Sequence, residues 1–115
     1  MTSENPTTHT VLLEVAYDDN SLKFFSDLRH IIEEKYPLVH LDGYNESSIK
    51  YQKKAFALKG HWAAKKTPFA IMCDAEGIPI IGFYSEVNEC KVDNILKHLD
   101  SFITYKPTEN GSSSN

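Results

Sequence analysis

Few residues in this chain are of types that do chemistry: two cysteines, five scattered histidines, an acidic cluster and a lysine-rich stretch. Cys73 closes the apolar run 69–73, which reads as a buried strand, and a thiol there is a small core residue. Cys90 comes just before a helical pattern, where a helix N-terminus would lower a thiol pKa and make it nucleophilic. It is the candidate reactive thiol, set against the plainer account of a partly exposed cysteine. Asp18 and Asp19, with Glu14 and Asp42, are carboxylates of the kind that hold magnesium or calcium. Their spacing matches no metal loop, and helix capping accounts better for the pair, so no metal site is expected. His9, His30, His40, His61 and His98 lack the spacing of zinc ligands, and no glycine-rich phosphate loop is present. No cofactor is expected.

The lysines form the stronger signal. Lys50, Lys53, Lys54, Lys59, Lys65 and Lys66 fall in 17 residues without an acid, while the rest of the chain holds six basic residues against 16 acidic ones. A basic region on an acidic body follows. Tyr51, Phe56 and Trp62 lie among these lysines, and phosphate contacts combined with ring stacking are how single-stranded nucleic acid is held. The plainer account is a solvated helix face whose aromatics turn into the core. Next after it comes an anionic protein partner, ahead of nucleic acid, because a dedicated nucleic-acid binder carries positive charge and this chain carries −4.

A length of 115 residues gives one core, and 41% hydrophobic content is ordinary for a globular chain. No apolar run approaches the roughly 20 residues that cross a bilayer, so no membrane partner is expected. The first residues show no secretory pattern, and two cysteines do not make a disulfide framework; reduced thiols and a cytoplasmic setting are expected.

These residues need elements to position them. Residues 10–17 are β-prone and end in the turn-forming Asp18-Asp19-Asn20-Ser21, which also caps the next helix. From 22 to 36 the positions Leu22, Phe25, Leu28, Ile32 and Tyr36 recur at helical spacing, and Pro37 ends the run. Residues 38–42 read as a second strand, and Gly43-Tyr44-Asn45 as a turn. A helix from 46 to about 58 is expected, with Ile49, Phe56 and one of Tyr51 or Leu58 as core contacts. Pro68 opens a hairpin: an apolar strand over 69–73, the turn Asp74-Ala75-Glu76-Gly77 with glycine at the position needing positive φ, and a second apolar strand. Val92, Ile95, Leu96, Leu99 and Phe102 mark a last amphipathic helix of about three turns. The expected organisation is a flexible arm over 1–9, one domain over 10–103 and a disordered tail over 104–115.

The order strand, helix, strand, helix, X-Pro, hairpin, helix resembles the thioredoxin-like fold. Thr67-Pro68, Gly77 and Gly82 stand where that family has its cis-proline, its hairpin-turn glycine and a glycine in the second hairpin strand. The resemblance implies an α/β chain with a four-stranded mixed sheet (β-α-β-α-β-β-α), helices on both faces, and the hairpin's first strand antiparallel to residues 11–17. Redox members place Cys-x-x-Cys at the start of the first helix, and this chain has Asp18-Asp19-Asn20-Ser21-Leu22 there. Relatives use the cis-proline face to hold an extended peptide or glutathione through backbone hydrogen bonds. A non-catalytic binding or adaptor module is therefore expected rather than an enzyme. Its protein partner would meet Asp19, Asn20, Ser21, Thr67, Pro68 and residues 85–88, together with Trp62 and the six lysines. The alternatives are a thiol-redox or glutathione-handling protein using Cys90, and a nucleic-acid binder using residues 50–66.

Overall fold

The computed structural model describes residues 10–87 and 89–114, with side chains described through Ile103. The expected arm over 1–9 lies outside the described residues. Four strands form one sheet in the order β2-β1-β3-β4. The central strand β1 (Val11–Tyr17) lies parallel to β2 (Val39–Asn45) and antiparallel to β3 (Phe69–Asp74), which in turn pairs antiparallel with β4 (Pro79–Tyr84). The sheet is mixed, as the resemblance implies.

Alternation along β1 builds the main core. Val11, Leu13 and Val15 point to one face and are fully buried against Phe25, Leu28 and Ile32 of α1 (Leu22–Lys35) and Ile95 and Leu99 of α3 (Val92–Ser114). These are the apolar stripes legible as helical periodicity. The backbone of α3 continues past the end of its stripe at Phe102, so the helix is longer than three turns. The disordered tail expected over 104–115 falls on residues whose side chains lie outside the described ones, as does Asn115 entirely. The other face carries α2 (Gln52–His61) over a smaller cluster of Ala64, Phe69 and Ile71, with Leu58, Trp62 and Tyr84 packed against it.

The hairpin turn is held by Asp74. Its carboxylate accepts from the N–H groups of Glu76 and Ile78, both at 2.9 Å, and Gly77 adopts φ 85°. Only glycine takes that backbone conformation without cost.

Four sequence expectations need correction. Gly43-Tyr44-Asn45 continues β2 rather than turning, because it pairs with Val15-Ala16-Tyr17. Glycine stands at 43 for a close approach: a Cβ there would lie 2.2 Å from the ring of Phe25, which stacks on Tyr17 at 4.4 Å. Helix α2 starts at Gln52 and includes Gly60 and His61, its fully buried residue is the small Ala55, and Leu58 packs against the cluster of Ala64, Phe69 and Ile71. Ile49 is 93% exposed and Phe56 50%, so neither is a core contact. Cys73 is half-buried on the α2 face, packed against the smaller cluster, and Cys90, not Cys73, is the buried thiol.

After α2 the chain turns at Ala63, which has φ 59°, and the N–H of Ala64 donates to the carbonyl of Lys59 at 2.8 Å. No glycine marks this helix end. The turn delivers residues 65–68 to the head of β3.

Candidate functional site

Asp18 caps a 3-10 turn, Asp19–Ser21, that leads into α1. Its Oδ1 accepts from the N–H of Ser21 at 3.0 Å and from Ser21 Oγ at 2.8 Å, while Ser21 Oγ accepts from the N–H of Asp18 at 3.0 Å. The two residues close a reciprocal capping box. The second carboxylate oxygen, Oδ2, accepts from Thr67 Oγ1 at 2.9 Å. One carboxylate thus joins the start of α1 to the residue before Pro68. Burial raises the Asp18 pKa, but the hydrogen bonds from Ser21, Thr67 and the neighbouring N–H groups outweigh it and hold the carboxyl below its usual value.

The Thr67-Pro68 peptide bond is cis. The carbonyl of Pro68 accepts from Ser85 Oγ. Among the described residues no backbone hydrogen bond takes up the N–H or the C=O of Thr67. Glu86, on the short 3-10 turn Ser85–Val87, accepts from the N–H of Lys65 at 2.7 Å. That bond, with its own N–H, lowers the Glu86 pKa. From the other side Asp19 joins the loop after β2: its N–H donates to Ser47 Oγ and its Oδ1 accepts from Asn45 Nδ2, both at 3.1 Å. Four segments, 18–21, 45–47, 65–68 and 85–87, therefore meet at one end of the sheet.

Asp19, Ser21, Thr67 and Pro68 are brought together in this way, and Asn20 lies exposed beside them. Asp18, the residue that bonds Thr67, is a capping residue by sequence and does not figure among the expected contact residues. The Asp-x-x-Ser spacing of a capping box is the signal that finds it.

The lysine segment does not stay together. Lys65 and Lys66 are exposed immediately ahead of Thr67. Lys50 lies 5.2 Å over the ring of Tyr51, and Lys54 5.7 Å over that of Tyr44; Lys53 is exposed on α2. Lys59 is turned inward to Glu46 at 2.7 Å, with its side chain only 12% exposed. Trp62 is half-buried against the smaller cluster, its carbonyl accepts from the Tyr84 hydroxyl at 2.7 Å, and His61 meets its ring edge-on at 4.7 Å.

Both cysteines are free thiols. Cys90 packs into the main core, and burial pushes its pKa up to about 12, the opposite of acidification at a helix start. Burial, with Glu14 and Asp74 nearby, also raises Cys73. Among the described residues no group of three His, Cys, Asp or Glu side chains is placed to hold a metal, and no helix is long and apolar enough to cross a membrane.

No protein-family model and no curated protein matches the chain. Among solved structures it is similar to a DsbH oxidoreductase, at 12% identity and TM-score 0.51, over 81% of this chain and 72% of that one. It is also similar to a thioredoxin-fold protein from Helicobacter pylori, at 17% identity and TM-score 0.43, over 86% and 85% of the two chains. At these identities the likeness is one of fold.

Proposed function

We propose that this chain, whose fold is thioredoxin-like and whose first helix starts at Asp18-Asp19-Asn20-Ser21 in place of a cysteine pair, is a binding module that takes up an extended protein segment at Thr67. One observation carries this reading. The Thr67 side chain is committed to Asp18 Oδ2, which fixes the residue's orientation, while its main-chain N–H and C=O have no backbone partner among the described residues. An oriented pair of this kind meets an extended peptide as a strand edge does, by main-chain hydrogen bonds. Exposed Lys65 and Lys66 next to it favour a segment carrying acids.

The oxidoreductase neighbour supports the thiol alternative only through its fold. Against it, burial holds Cys90 as a thiol, and a thiolate is the nucleophile such chemistry needs. The nucleic-acid alternative has fewer groups to draw on, with Lys59 ion-paired to Glu46 and Trp62 packed on the protein's own cluster.

The test is a titration of 15N-labelled protein with a synthetic peptide of alternating valine and glutamate. The expected result is a shift of the Thr67 amide resonance with slowed hydrogen exchange at that N–H, weakened in the K65E/K66E variant. A Thr67 amide that exchanges equally fast at millimolar peptide would sink the reading.

A further inference from the structure

The sheet face under α2 carries a feature that packing does not call for. Alternation along β1 and β2 turns Glu14 and Tyr44 toward this face, where both stay half-buried. Between sheet and helix lies an open cavity of about 400 Å³, with Glu14, Tyr44 and Ile71 on the sheet side and Lys54, Leu58 and Trp62 on the helix side. That volume falls in the range of small-molecule sites. Thr67 does not line it.

Glu14 is a half-buried carboxylate on the central strand. Among the described residues its hydrogen-bond partner is the Tyr44 hydroxyl, at a long 3.3 Å, and no described cation pairs with it. Asp42 is its register neighbour on β2 and adds negative charge, although its own carboxylate is engaged by His40 Nε2 at 3.1 Å. A carboxylate placed in this way is best compensated by a cation. The rings of Tyr44 and Trp62 line the same space and favour a positive group between them. Lys54, exposed and lying over the Tyr44 ring, offers the opposite charge at the helix side, while Leu58 and Ile71 offer an apolar wall.

We infer that this cavity binds a small zwitterion with an apolar side chain, a molecule of the amino-acid type. Its ammonium group donates to Glu14, its carboxylate meets Lys54, and its side chain lies on Leu58 and Ile71.

Trp62 is the one tryptophan of the chain, so its fluorescence reports on the cavity. Three matched probes separate the charges: L-phenylalanine as zwitterion, phenethylamine as cation and 3-phenylpropionate as anion. Phenylalanine is expected to give a saturable change, phenethylamine to bind about tenfold more weakly, and 3-phenylpropionate to give no saturable change. Glu14→Gln is expected to weaken phenylalanine by about tenfold or more. Lys54→Gln, an exposed change that spares folding, is expected to bring phenylalanine down to the level of phenethylamine. The inference is overturned if phenylalanine gives no saturable response, if 3-phenylpropionate binds as well as phenylalanine, or if both variants bind phenylalanine like the parent chain.

Discussion

Thr67 Oγ1 donates to Asp18 Oδ2 across 2.9 Å, and this bond joins two stretches 49 residues apart in sequence. It links the cap of the first helix to the head of the hairpin, so the loop geometry at that end of the sheet depends on one carboxylate.

Removing the donor tests that dependence. Thr67→Val keeps the shape and leaves Asp18 Oδ2 without its partner, and it is expected to lower unfolding free energy by about 1 kcal/mol in urea denaturation. The Asp18 carboxyl is held below the usual aspartate value, so its stabilising contribution is fully present above about pH 4 and is lost as pH falls through the lower native value. Asp18→Asn removes this titration. The gap in melting temperature between parent and variant should therefore shrink as the pH is lowered below about 4.

Gly43 is the second point of sensitivity. A Cβ at this position would meet three atoms of the Phe25 ring at 2.2–2.9 Å, and that ring belongs to the main core. Gly43→Ala is expected to cost about 2 kcal/mol, and less than half of that in a Phe25→Leu background, where the ring is gone. Equal costs in the two backgrounds would show that the glycine serves something other than this contact.

The thiols should report their burial. In the native state at pH 8, Cys90 is expected to resist a soluble alkylating agent while Cys73 reacts slowly, and both should react at once in denaturant, read by mass spectrometry. Raising a thiol pKa favours the protonated native form, so the contribution of Cys90 is present below 9.0 and is lost as pH rises toward about 12. Fast labelling of native Cys90 would restore the case for thiol chemistry.

Leu99 and Ile49 make a matched pair, both apolar and both plausible core residues by sequence. Leu99 is fully buried and Ile49 is 93% exposed. Leu99→Ala is expected to cost about 3 kcal/mol and Ile49→Ser to stay within about 0.5 kcal/mol, by thermal or chemical denaturation.

What the sequence determined by itself was the part governed by local period and punctuation. Val11, Leu13 and Val15 alternate, Leu28 and Ile32 or Ile95 and Leu99 recur at helical spacing, and Asp74 with Gly77 makes a turn wherever such residues join two strands. From these, with Pro68, the order of elements was legible, and the resemblance to the thioredoxin-like fold that this order carries implied the mixed sheet and the face where Asp19, Asn20, Ser21, Thr67 and Pro68 would gather. The tertiary structure decided what depends on distant neighbours. Gly43 looked like a turn because the ring of Phe25 that requires it lies on another element, and α2 was misplaced because the small Ala55, rather than Ile49 or Phe56, is its buried residue. The six lysines form one run along the chain and several environments in space, since a helix and a loop send Lys54, Lys59 and Lys65 in different directions. Cys73 and Cys90 exchanged roles for the same reason: burial belongs to the packing of α2 and α3 on the sheet, and the residues flanking a cysteine do not encode it.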